Sequence, residues 1–372
     1  MPSQHTDTST TCGNTEYGRT SFKRSRSHFA DRITADGRDG WPVEAVRYRL
    51  VASRACPWAS RALISRRLLG LEDALSLAVA DPLQDDRSWR FSLDPDGRDP
   101  VLGIHFLREA YDAREKGYPG GVSVPAIVDV PSGKLVTNDY QQITLDFATE
   151  WRALHRAGAP DLYPEALREE MDVVMAGVYR DVNNGVYRAG FATGQGEYEA
   201  AFHDLFRRLD LLSERLSEQR YLMGDTLTEA DIRLFTTLVR FDAVYHGHFK
   251  CNRFKLAEDP VLWAYAKDLY QTPGFGDTVD FHHIKQHYYR VHTGINPTGV
   301  VPVGPDLSGW LTPHHREELG GRPFGDGTPP APVPPDEEVP PSGHPERLRL
   351  GSLGGPHPRT GSTDRGRPAV RP

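Results

Sequence analysis

The stretch Arg54-Ala55-Cys56-Pro57-Trp58-Ala59-Ser60-Arg61 decides how this chain is read. Ahead of it, Val46-Arg47-Tyr48-Arg49-Leu50-Val51 alternates apolar and polar side chains as a half-buried strand does. Behind it, Ala62, Leu63, Leu68, Leu69 and Leu71 recur at helical spacing, with Gly70 as the expected cap. Cys56 therefore stands at a strand-to-helix turn, and Pro57 takes the first helical position, where a missing N–H costs nothing. The amides of the helix start and the positive end of its dipole are directed at the sulfur. Thiols held this way have pKa values of roughly 3.5–7.5, low enough for a nucleophilic thiolate near neutral pH. An isolated cysteine is ordinarily a buried structural residue. The proline and the helix start favour the reactive reading.

The bulk properties narrow the class. The 372 residues carry a net charge of −7, with 26% charged and 38% hydrophobic residues, which suits a soluble globular protein and leaves no basic footprint for nucleic acid. No apolar run approaches the roughly 20 residues of a membrane span, and the polar start lacks the apolar core of a secretory signal. Cys12, Cys56 and Cys251 lie too far apart for a disulfide framework, which points to a reducing cytoplasm.

Taken in order, residues 1–28 are Ser/Thr/Arg-rich and read as disordered. After the Cys56 helix, residues 75–79 read as a strand. A turn-rich stretch with Trp89 and Phe91 follows, then a short helix over 104–113. Val122-Ser123-Val124-Pro125-Ala126-Ile127-Val128-Asp129 is a strand interrupted by proline. Proline is excluded from the middle of a sheet. At a strand end it exposes its neighbour's backbone to a ligand, often through a cis bond. A turn at 131–133, Leu135-Val136, and a helix from Asn138-Asp139 toward Trp151 complete the order β-α-β-α-β-β-α, a thioredoxin-like layout assigned to residues 29–160. Residues 161–311 read as all-helical: Phe202, Leu205, Phe206, Leu209, Leu212 and Leu216 share one face, and Thr228 with Asp231 forms a capping-box variant between Leu227 and Ile232. Residues 312–372, rich in Pro, Gly, Arg and Ser, read as a disordered tail. The fold class is an α/β thioredoxin-like domain plus an all-α C-terminal domain.

Four segments together carry a family resemblance. They are Ala55-Cys56-Pro57-Trp58-Ala59, Asp181-Val182-Asn183-Asn184-Gly185-Val186-Tyr187, Arg240-Phe241-Asp242-Ala243-Val244-Tyr245-His246, and residues 283–289 followed by Ile295-Asn296-Pro297. In that order they resemble the glutathionyl-hydroquinone reductases, the xi class of the glutathione transferase fold, over about residues 29–309. The resemblance implies that Cys56 attacks the thioether of a thiol-conjugated hydroquinone and takes the thiol as a mixed disulfide, which a second small thiol resolves. It implies that Tyr187, Tyr245 and Tyr288 line the aromatic site, although any one taken alone reads rather as an amphipathic core tyrosine. Trp89 matches a tryptophan over the bound thiol, and Val124, ahead of Pro125, would exchange backbone hydrogen bonds with it. Asp139-Tyr140 stands where the family has a glutamate-serine pair, and Gly121 where a basic residue is expected. These departures touch the tripeptide half of the site, so the co-substrate is read as glutathione or mycothiol, with mycothiol preferred. No tightly bound cofactor is implied, and a homodimer is expected. The rival readings are an omega-like thiol transferase or dehydroascorbate reductase, and a non-catalytic adaptor, for which a nucleophile at a helix start would be superfluous. His283 and His287 share a helix face, but no third ligand is indicated, so no metal is expected.

Overall fold

The computed structural model describes residues 27–345 and the backbone of two short strands before them, β1 (Thr15–Tyr17) and β2 (Phe22–Arg24). These two pair antiparallel within a stretch the sequence reads as disordered. Each holds aromatic residues that favour strands, a signal masked by the surrounding Ser/Thr/Arg bias. A second small pair, β3 (Ile33–Thr34) and β4 (Trp41–Pro42), is parallel.

The main sheet has the order β6-β5-β7-β8. β5 (Tyr48–Ala52) runs parallel to β6 (Leu75–Val79) and antiparallel to β7 (Ala126–Asp129), which pairs antiparallel with β8 (Lys134–Thr137). Between the strands lie α1 (Pro57–Leu69) and α2 (Arg108–Arg114), with α3 (Ile143–Thr149) after them. α2 starts later than the sequence predicts because Phe106 is drawn into a bridge with Arg90, and the Leu107 N–H donates to the Trp89 carbonyl at 2.9 Å. Gly70 ends α1 at φ +69°, and a Cβ there would meet Arg156 at 2.6 Å, so glycine is required twice over.

The second half is helical: α4 (Arg168–Gly177), α5 (Gly185–Gly190), α6 (Gln195–Glu218), α7 (Glu229–Leu238), α8 (Pro260–Gln271) and α9 (Phe281–Val291), with π-helical turns at Val178–Asn183 and Phe241–Tyr245. α6 buries the predicted stripe except Phe202, which is only half-buried. At the start of α7 the Asp231 carboxylate accepts from the Thr228 N–H (2.9 Å) and hydroxyl (3.1 Å), the Leu222 N–H (2.8 Å) and the Tyr265 hydroxyl (2.8 Å). Burial pushes its pKa up, and these four donors oppose that. α1 packs against β5 on one side and against α3 and α7 on the other, so all thirteen of its residues are buried.

Residues 312–345 are ordered, which corrects the reading of 312–372 as a disordered tail; residues 346–372 lie outside the described residues. The order comes from buried arginines, one in the segment itself and others on α1, whose acceptors lie across the contact. Arg316 donates to the carbonyls of Leu216, Gln219 and Arg220 at the end of α6, at 2.6–3.0 Å. Arg67 on α1 donates to the Ala331 carbonyl at 2.7 Å, and Arg66 makes two 2.7 Å bonds to the Glu337 carboxylate. A segment held by such polar contacts shows no apolar periodicity, so its Pro/Gly content alone suggested disorder. Among the described residues, no helix is long and apolar enough to cross a membrane.

Candidate active site

Cys56 is the N-cap of α1, with extended backbone (φ −80°, ψ 121°) and Pro57 at the first helical position. It is a half-buried thiol, and its Sγ donates to the Val124 carbonyl at 3.5 Å. The Val124–Pro125 bond is cis, and the β5–β7 ladder ends at the Val51–Ala126 pair, so Val124 lies just past the last rung. The turn thus joins the thiol to the proline-containing strand end, two features that lie 68 residues apart in sequence.

The three tyrosines converge. The Tyr288 hydroxyl, from α9, lies 2.5 Å from that of Tyr187 on α5 and 2.8 Å from that of Tyr245 in the second π-helical turn. All three side chains are buried. Burial pushes the Tyr245 phenol up to about 12 and Tyr288 well above the ordinary value, so both are protonated donors at neutral pH. The Trp58 ring, two residues past Cys56, lies 6.2 Å from Tyr187 and links the thiol helix to this cluster. π-helical turns widen a helix locally, and here one precedes Tyr187 while the other carries Tyr245.

Trp89 is buried and stacks on His287, with centroids 5.3 Å apart and planes 17° apart, and its indole N–H has no acceptor among the described residues. His287 lies 2.6 Å from the Pro82 carbonyl through Nδ1, and burial lowers its pKa to about 4, so the ring is neutral with its proton on Nδ1. Tyr140 places its ring 4.8 Å from Trp58 and its hydroxyl 2.9 Å from that of Tyr179. Asp139 accepts the Gln141 N–H at 3.2 Å. His283 faces Asp280 at 3.6 Å, and no group of three metal-ligating side chains occurs among the described residues. Cys251 is fully buried, and burial pushes its thiol up, away from thiolate chemistry.

Two arginines that sequence reasoning gave no role surround the cysteine turn. Arg54 donates to the Glu337 and Glu338 carbonyls of the C-terminal segment. Arg240, 1% exposed, donates to the carbonyls of Ala55 (3.0 Å), Arg54 (2.9 Å) and Thr236 (2.7 Å) and to the Ser60 hydroxyl (2.7 Å). The available signal was its setting in Leu238-Val239-Arg240-Phe241, where a charge inside an apolar run demands buried partners.

Comparison with known proteins gives a consistent picture. Residues 195–268 match the family described as glutathione S-transferase, C-terminal domain. The glutathionyl-hydroquinone reductase YqjG of Escherichia coli is 43% identical over 306 residues, which cover 80% of this chain and 92% of that protein. Its glutathione-bound structure superposes with a TM-score of 0.73 at 42% identity, over 78% of this chain and 96% of that one. A glutathione transferase from Gordonia bronchialis is 67% identical, with a TM-score of 0.84, over 85% of this chain and 98% of its own. The xi-class transferase of Natrialba magadii is 42% identical, with a TM-score of 0.76, over 81% and 96%.

Proposed function

We propose a reaction that proceeds from the family: the chain belongs to the glutathionyl-hydroquinone reductases, xi-class glutathione transferases, and reduces thiol-conjugated hydroquinones through a mixed disulfide on Cys56. The Cys56 thiolate, favoured by the α1 N-terminus, attacks the thioether sulfur. A sulfur–sulfur bond forms as the ring carbon–sulfur bond breaks, and the bonding pair goes to the ring carbon, which takes a proton. The hydroquinone leaves reduced by two electrons. A second thiolate then attacks the mixed disulfide, releases a small-molecule disulfide and regenerates Cys56.

The observation that carries this reading is the buried trio of phenols with Tyr288 at its centre. Protonated hydroxyls set among aromatic rings suit an aromatic diol, whose oxygens they would hold while the ring carbon is protonated. Simple disulfide exchange, the omega-like alternative, has no use for them. Trp89, with an indole N–H lacking an acceptor among the described residues, and Val124, past the last rung of the ladder, are assigned to the thiol's backbone.

For the thiol itself we infer mycothiol in preference to glutathione. Tyr140 stands where the family has a serine, with its ring on Trp58 and its hydroxyl bonded to Tyr179, so this position offers an aromatic face suited to a sugar. Gly121 carries no charge for a carboxylate. Asp139 remains available to an ammonium group. Single-turnover resolution of the Cys56 adduct by each thiol tests this: faster resolution by glutathione at equal concentration overturns the mycothiol assignment and leaves the reductase reading intact. That reading is tested separately. Cys56→Ser should abolish thiol release from a conjugated hydroquinone while Cys251→Ser leaves it nearly unchanged, and comparable losses in both would replace the single-cysteine mechanism with a dithiol one.

A further inference from the structure

We propose that Arg240 is a positioning residue for Cys56: its buried guanidinium fixes the turn that bears the thiol and supplies a positive charge that favours the thiolate. The proposal rests on Cys56 as the nucleophile, but its readout, ionisation of the thiol, is independent of quinone turnover. The guanidinium reaches from the end of the α7 segment across to the start of α1. It holds the carbonyls of Arg54 and Ala55 directly, and that of Cys56 through Ser60, whose Oγ accepts from Arg240 at 2.7 Å and donates to the Cys56 carbonyl at 3.0 Å. Three consecutive carbonyls leading into the helix are thus set by one side chain.

Every acceptor in these bonds is neutral: three carbonyls, counting Thr236, and one hydroxyl. A buried cation satisfied only by dipoles gains from an anion nearby. The sulfur of Cys56 is the group in this turn that becomes anionic. The guanidinium lies against the Ala55 carbonyl and the Ser60 hydroxyl, directly before the thiol and one helical turn after it. The other ionisable groups around the turn do not substitute for this charge. Tyr187, Tyr245, Tyr288 and Tyr140 are phenols, and His287 is neutral. Arg61, on α1, is bonded to Asn183 and opposed by Glu229, and Arg54 is engaged by the C-terminal segment and opposed by Asp280 and Glu337.

The test is the pH dependence of Cys56 alkylation, followed at that residue by peptide mass, in the full chain and in Arg240→Gln and Arg240→Lys. Glutamine removes the charge and should raise the midpoint by about one pH unit or more, the effect of losing a close opposite charge. The kcat lost at neutral pH should then recover as the pH rises. Lysine keeps the charge without the fork and should leave the midpoint near that of the parent. A folded Arg240→Gln with the parent midpoint overturns the proposal. So does an Arg240→Lys midpoint raised as far as glutamine raises it, because that would assign the effect to turn geometry alone. If the glutamine variant does not fold, the parent chain decides: a Cys56 midpoint at the ordinary thiol value of about 8.5 overturns the proposal.

Discussion

Replacing Tyr288 by phenylalanine removes one oxygen from the centre of the proposed aromatic site and leaves everything else in place. The ring, which meets Tyr245 edge-on at 5.5 Å and His292 at 5.2 Å, keeps its packing. The hydroxyl lost is the one shared by Tyr187 at 2.5 Å and Tyr245 at 2.8 Å. Two buried hydrogen bonds vanish, at about 1 kcal/mol each, so stability should fall by about 2 kcal/mol. Removing one preorganised donor to developing charge lowers kcat about 10²–10³-fold, or about 3–4 kcal/mol in the barrier. Tyr187→Phe and Tyr245→Phe each leave one pair of the trio bonded and should cost less. The assay sets thiol release from a conjugated hydroquinone against exchange with a simple mixed disulfide, with unfolding measured alongside. The loss should fall on kcat for the hydroquinone and spare the exchange. Equal losses on both substrates would refute the reasoning and make the trio a structural cluster.

Two further outcomes test the fold around the site. Glu337→Ala leaves the guanidinium of Arg66, which is almost wholly buried, without its carboxylate; denaturant unfolding should show a loss of about 3 kcal/mol, and less for Glu337→Gln. A loss below about 0.5 kcal/mol, the range of an exposed pair, would mean the C-terminal segment is not part of the native packing. Burial lowers the pKa of His248 to about 4, beside His292 at 3.3 Å, whereas the unfolded side chain titrates near the ordinary value of about 6.5. Its contribution is therefore present above pH ~6.5 and is lost as the pH falls toward ~4, at about 1.4 kcal/mol per pH unit. His248→Gln should flatten the acid side of the stability curve by that slope, and an unchanged slope would refute the assignment.

Much of the architecture was legible because local chemistry and global fold agree. Cys56-Pro57 announces a helix start, Gly70 its end, Val124-Pro125 a strand end, and Thr228 with Asp231 a capped helix; each is a short-range rule the structure obeys. The convergence of Tyr187, Tyr245 and Tyr288 was not readable from spacing, since they sit on three separate elements, and only the family resemblance grouped them. Arg240 escaped because its partners are backbone carbonyls about 185 residues away, and carbonyls leave no trace in a sequence. α1 also resists an amphipathic reading: with packing on both sides it buries Arg61, Arg66 and Arg67 along with its leucines. The C-terminal segment hides its order for the same reason: it accepts hydrogen bonds from Arg54, Arg66 and Arg67.

That pairing gives the protein an order of assembly. Arg66 and Arg54 are separated from their C-terminal acceptors by 271 and up to 284 residues. At about 5–20 residues per second on the ribosome, roughly 15–55 s pass between synthesis of the thiol helix and of the carboxylate that neutralises it. During that interval Arg66 has only the Leu75 and Glu72 carbonyls as acceptors, and burying it so costs about 3 kcal/mol. A chain ending short of residue 337 would leave Arg66 without its carboxylate and Arg54 without its carbonyls, on either side of Cys56. Translation of the C-terminal segment thus supplies the last acceptors for the turn and the helix that carry Cys56.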